Sequence, residues 1–191
     1  MSPGLVNAHT HLSLTALQGL LEPERFEQWL PKLVSGLSGW TAEDRAASAA
    51  LGAQLSLASG VTVVGDITYG FESPAASIAA GLGGIFYWEV LGIHAAELYA
   101  RLESIGYPGT DGTGSGKRTK YGLSPHSAYT SGPRLLAAVH EAAREIRAPI
   151  AIHVAESAAE VELLRSGTGP LAESARRLAP EIGRASWRGR V

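Results

Sequence analysis

The stretch from Pro3 to Leu14, PGLVNAHTHLSL, carries two histidines two residues apart, His9 and His11. On an extended strand, residues two apart point to the same face. Two imidazoles converging at a strand end make a natural divalent-metal site. The same spacing also suits two polar residues of a loop, and taken alone it leaves both readings open. A second stretch, IAIHVAES (Ile150 to Ser157), closes an apolar run with His153 and places Glu156 three residues further on. A third, YGLSPHSAYT (Tyr121 to Thr130), sets His126 directly after Pro125. Asp66 and Glu89 end two further apolar runs. Cysteine is absent, which removes disulfides, thiolate-ligated zinc, iron–sulfur clusters and a thiol nucleophile.

The elements that must hold these residues alternate. Leu5 to Ala8 reads as a short apolar strand. Thr41-Ala-Glu-Asp44 reads as a capping box, followed by Leu51, Leu55 and Ala58 at helical spacing and by Gly60 as the stop. Val61 to Asp66 reads as a strand buried on both faces. Ser73-Pro74 marks a helix start, Gly84 to Val90 a third strand and Ala95 to Ile105 a helix. Lys120 to Ser124 is a fourth strand. Pro133 to Arg147 is a helix whose core stripe is Leu135, Leu136, Val139, Ala143 and Ile146. Pro149 to Val154 is a fifth strand. Ser157-Ala-Ala-Glu160 is a second capping box leading to Gly167, and a last helix runs from Pro170 to about Ala179.

Five βα units in series build a parallel sheet. No G-x-G-x-x-G follows any strand, which lowers the nucleotide-binding doubly wound sheet. The polar residues sit at the C-terminal ends of strands, where a (β/α)8 barrel keeps its active site. A barrel of about 250 residues has eight units. The fold class expected is therefore α/β, an incomplete (β/α)8 barrel of about five units.

At this combination the chain resembles the amidohydrolase superfamily, in its cytosine deaminase and chlorohydrolase-like branch. The resemblance runs to about residue 180 and is carried by PGLVNAHTHL, GVTVVGDIT, GLSPHSAYT and IAIHVAES in that order. It implies that His9 and His11 are the first-strand metal pair, His153 the fifth-strand metal ligand, Glu156 the general acid/base and His126 a substrate-facing residue. Asp66 and Glu89 gain no catalytic counterpart and are read as capping helices or orienting neighbours. His94 and His140 are read as structural or exposed. Binuclear members bridge their metals with a modified lysine at the end of strand four. Here that end reads Ser124-Pro125-His126 and Lys120 lies at the strand's start, so the resemblance implies one divalent ion, zinc or iron. Such an ion brings the pKa of water toward neutrality, and Glu156 would carry the water's proton to a ring nitrogen and help ammonia leave.

Within the branch, NAHTHLSLTAL, FEQWL (Phe26 to Leu30), FYWEVLGI and HVAESAAEVELLRSGTGPLAE look closest to aminodeoxyfutalosine deaminases. That implies hydrolytic deamination of a 6-aminopurine nucleoside on a menaquinone route. Sister specificities stay open: 5′-methylthioadenosine/S-adenosylhomocysteine deaminase, guanine deaminase or chloro-s-triazine hydrolase. Phe26 and Trp29 are read as packing a helix over the barrel mouth. The family pattern also has a sixth-strand histidine and an eighth-strand aspartate, and no histidine follows His153 here.

The chain has 191 residues and net charge -2, without a basic block that would serve nucleic acid. GTGSGK lacks the phosphate-loop spacing, because Asp111 and Arg118 stand where that motif needs Gly and Ser or Thr. The expected partner is a small aminopurine nucleoside, with neither nucleic acid nor membrane, and a homodimer is open for the complete protein. A cytoplasmic enzyme is expected, without signal peptide or membrane span. Residues 1–180 read as a partial barrel domain, truncated at both ends. Residues 181–191 read as a non-native, sequencing-adapter-like tail. The 191-residue chain alone is expected to be poorly soluble and inactive. The alternative class is a short protein that binds metal or nucleoside without catalysis.

Overall fold

The structure is a computed structural model, and it describes residues 2–20, 22–106 and 118–178. The strands are β1 (Leu5–Thr10), β2 (Val61–Thr68), β3 (Gly83–Val90) and β4 (Thr119–Pro125). They form a parallel sheet in the order β1-β2-β3-β4. The helices are α1 (Phe26–Gly36), α2 (Ala42–Ala58), α3 (Glu72–Ala80), α4 (Ala95–Ile105), α5 (Pro133–Glu145), α6 (Ala158–Ser166) and α7 (Pro170–Leu178). A 3₁₀ turn, Leu12–Leu17, follows β1. Among the described residues no helix is long and apolar enough to cross a membrane. The GTGSGK segment, Gly112 to Lys117, and residues 181–191 lie outside the described residues.

Sequence dictates the layering. Alternate strand residues Val64, Phe86, Trp88, Val90, Tyr121 and Leu123 are buried and form the main core with α2, α4 and α5. Burying each such side chain contributes about 1.5–3 kcal/mol. The opposite parity carries Gly65, Tyr87, Glu89, Gly122 and Ser124, and it is tight. A Cβ at Gly122 would come within 2.5 Å of the Tyr87 ring.

Helix α2 starts as its sequence says. Thr41 Oγ1 accepts the Asp44 N–H at 3.1 Å, and Asp44 Oδ2 accepts the Thr41 N–H at 2.8 Å. Its buried face differs from the leucine stripe expected. Leu51 and Leu55 are 43% and 44% exposed, and Ser48, Ala49, Gly52 and Ala53 face inward. The reason is proximity: the 3₁₀ turn lies so close that a Cβ at Gly52 would stand 2.4 Å from Thr15 Oγ1. Helix α3 begins at Glu72, with Phe71 rather than Ser73 before it.

The expected fifth strand is reduced to two isolated bridges, Leu123 to Ile150 and Ser127 to His153. Leu123 N–H donates to Pro149 O and Ala151 N–H to Leu123 O, each at 3.0 Å. The next donor on β4 would be Pro125, which has no N–H, so the ladder breaks there. It resumes at His153 N–H, which donates to His126 O at 3.0 Å.

Candidate metal centre

β1 and the residue after it carry His9 and His11 to the same end of the sheet as His153. The three rings meet, with centroids 5.3 Å (His9–His11), 4.9 Å (His9–His153) and 5.3 Å (His11–His153) apart. One ligand atom from each lies within 4.8 Å of the others. His11 Nε2 and His153 Nε2 face each other at 3.2 Å.

The bond that organises this cluster is on the far side of His153. Its Nδ1–H donates to the His126 carbonyl oxygen at 2.7 Å. A neutral imidazole with its proton on Nδ1 presents a bare lone pair at Nε2. That lone pair is the one facing His11. Burial pushes His11 down to about 3, with His153, His9 and His126 adding to the effect, so its ring is neutral at physiological pH. His9 is lowered too, first by burial and then by His153. Neutral, convergent imidazoles are the donor set that a borderline divalent ion takes, and the residues present fit such an ion.

Asp66 supports the arrangement from the helix-facing side. Its carboxylate is fully buried, and Oδ1 accepts the Leu12 N–H at 2.7 Å, immediately after His11. Burial raises this carboxyl to about 7, against the pull of the Leu12 N–H. Asp66 is read from the sequence as capping a helix or orienting a neighbour, and this contact is with the first N–H of the 3₁₀ turn.

His126 follows β4. Its Nδ1 meets Thr130 Oγ1 at 2.6 Å, and Thr130 Oγ1 lies 2.7 Å from Ser127 Oγ. Nε2 is therefore turned toward the interior, 3.9 Å from Glu89 Oε1. Burial lowers His126 to about 4 and raises Glu89 to about 7. Glu89, His126 and His153 form a second set of ligand atoms within 4.8 Å. The two sets share His153, whose one free nitrogen faces His11 and so belongs to the first.

Glu156 is not drawn into the histidine cluster. It is exposed and lines a shallow hollow with Phe26, Trp29 and Ser157. Partial desolvation raises its carboxyl, His153 pulls it down, and Glu160 pushes it up again.

A cavity of about 670 Å³ opens beside the cluster and reaches His11, Glu89 and His126. Leu30, Leu33, Val34 and Leu37 line its apolar side. Arg101, Tyr69 and the Arg45–Glu72 ion pair, 3.2 Å long, line its polar side.

A family model, the amidohydrolase family, matches residues 1–178. The chain belongs to the amidohydrolase family. This amidohydrolase chain is 34% identical over 185 residues to the aminodeoxyfutalosine deaminase of Deinococcus radiodurans, covering 90% of the chain and 40% of that relative. It is 32% identical over 172 residues to the 5-methylthioadenosine/S-adenosylhomocysteine deaminase of Symbiobacterium thermophilum, covering 87% and 39%. An adenosine deaminase from Xanthomonas campestris, solved with bound zinc, superposes with TM-score 0.72 at 24% identity, covering 91% of the chain and 41% of that structure. The chain thus spans about two-fifths of the length of the curated relatives it matches. The fold is an incomplete (β/α)8 barrel, and the amidohydrolase family is metal-dependent.

Sequence reasoning in this amidohydrolase reached His9, His11, His126 and His153, and the structure brings all four together. His94 and His140 are exposed, as expected. The cavity wall was missed. Leu30, Leu33, Val34 and Leu37 do carry i, i+3, i+4, i+7 spacing, which could have announced the apolar face of the helix expected there. Phe26 and Leu30 pack on the buried group of Tyr129, Leu163, Leu171 and Ala172, in keeping with a helix laid over the mouth. No signal in the sequence announces Arg101 or Tyr69 as cavity residues.

Proposed function

We propose that the protein to which this chain belongs is a metal-dependent hydrolytic deaminase of a 6-aminopurine nucleoside, aminodeoxyfutalosine-like in kind and serving menaquinone synthesis in the cytoplasm. The observation that carries the reading is the convergence of His9, His11 and His153, with His153 Nδ1–H committed to a carbonyl and its Nε2 turned inward. Those three histidines would hold one zinc or iron ion. When bound, the ion supplies Lewis acidity that makes water a nucleophile near neutral pH.

The remaining work falls to the chain's own side chains. Glu156 accepts the water's proton and returns it to the purine ring nitrogen. Its raised carboxyl suits a group that must both take and give a proton. The ring carbon gains an oxygen and loses ammonia. His126, with Nδ1 engaged by Thr130, offers Nε2 to the substrate. The cavity beyond gives the rest of the nucleoside an apolar wall from α1. A sister specificity, for 5′-methylthioadenosine or S-adenosylhomocysteine, is supported by the 32% identical relative.

The test is ammonia release by the complete protein, loaded with zinc or iron, on aminodeoxyfutalosine, 5′-methylthioadenosine and adenosine. Turnover of aminodeoxyfutalosine with the highest kcat/KM is expected. Preference for 5′-methylthioadenosine would move the protein to the sister specificity, and no turnover of any aminopurine would remove the deaminase reading.

A further inference from the structure

Glu160 is fully buried at the start of α6. As a capping box, Ser157 and Glu160 should bond reciprocally, the carboxylate returning to the Ser157 N–H. Half of that pattern is present: the Glu160 N–H donates to Ser157 Oγ at 3.2 Å. The other half is redirected. Glu160 Oε2 accepts the N–H of Glu156 at 2.7 Å, and Oε1 has no hydrogen-bond partner among the described residues. Between His153 and Glu156 the chain makes a bend in which Ala155 has φ 57, a left-handed conformation that an alanine rarely adopts. A buried carboxylate with one bare oxygen is costly where an apolar residue could pack beside Leu163. Its contact gives a reason for its presence: it holds the backbone of Glu156 just after the bend.

We propose that Glu160 is a positioning residue for Glu156: by accepting the Glu156 backbone N–H it holds the left-handed bend at Ala155 and so fixes where the chain presents Glu156 after His153. This rests on the proton-carrying role assigned to Glu156 above.

The experiment compares Glu160→Met, Glu160→Gln and Glu156→Gln in the complete, metal-loaded protein, reading kcat, KM and bound metal. Glu160→Met, which cannot accept the N–H, should lose on the order of 100-fold in kcat with KM and metal stoichiometry nearly unchanged. Glu160→Gln keeps an acceptor and should recover most of that loss. Adding Ala155→Gly to Glu160→Met lets the left-handed bend form without strain and should recover part of the loss. If Glu160→Met does not fold, Glu160→Asp, too short to span the same contact, carries the same expectation. Wild-type kcat in a folded Glu160→Met or Glu160→Asp, beside an inactive Glu156→Gln, would overturn the proposal and leave the role of Glu156 standing. Equal loss in Glu160→Gln and Glu160→Met would overturn it as well, since charge rather than the acceptor would then matter. Full activity in Glu156→Gln would overturn the role of Glu156 and this proposal together.

Discussion

His153 spends its Nδ1 proton on the His126 carbonyl, and that one bond decides what Nε2 can do. The residue types and the H-x-H spacing were legible in the sequence, but the tautomer was not. It depends on a backbone carbonyl 27 residues away, brought alongside by the bridge between Ser127 and His153. Asp66 was legible as a strand-end acid that caps a helix or orients a neighbour, and the structure supplies the contact, the Leu12 N–H that opens the 3₁₀ turn. Its carboxyl is raised by burial to about 7, so ionisation is resisted in the folded state. A group raised in this way contributes its stability below the unfolded value, near 4, and loses it as pH rises through about 7. Asp66→Asn cannot ionise. Its melting temperature relative to wild type should climb between pH 5 and pH 8 by on the order of 5 °C. Thermal melts at the two pH values check this, and a difference independent of pH would show that Asp66 is not the titrating group.

At the scale of elements, most strands and helices were readable because period and capping agree, as at Thr41 and Asp44. The departures have local causes. The fifth strand breaks because Pro125 lacks a donor. Helix α2 turns its small residues inward because the 3₁₀ turn after His11 presses against Gly52. Leucine spacing could not reveal that neighbour, since the turn lies about forty residues upstream and hydrophobic pattern alone favours Leu51 and Leu55. Gly52→Ala raises helix propensity by about 1 kcal/mol. Its Cβ would nonetheless meet Thr15 Oγ1 at 2.4 Å and the Leu12 carbonyl at 3.1 Å. Overpacking against backbone should win, giving a net loss of about 1–2 kcal/mol. Denaturant unfolding measures it, and a stabilised variant would contradict the packing described here.

For the molecule as a whole, the barrel class was legible from serial βα units. The cavity was less so, because it joins α1, β3, α4 and the segment after β4, which only the closed geometry brings together. The described sheet leaves apolar residues at both margins: Leu5 and Val6 on β1, and Ile150, Ile152 and Val154 beyond β4. Exposed apolar strand edges favour self-association. Val6→Lys combined with Val154→Lys should raise the soluble fraction of the 191-residue chain, measured by sedimentation and size exclusion. An unchanged fraction would place the association elsewhere.

In the proposed enzyme His9, His11 and His153 together hold one divalent ion. Metal analysis of the complete protein and of its His153→Gln variant, each exchanged into metal-free buffer after zinc loading, tests this most directly. About one ion per chain is expected in the wild type and at least a tenfold loss of affinity in the variant. Equal metal retention by both proteins would contradict it.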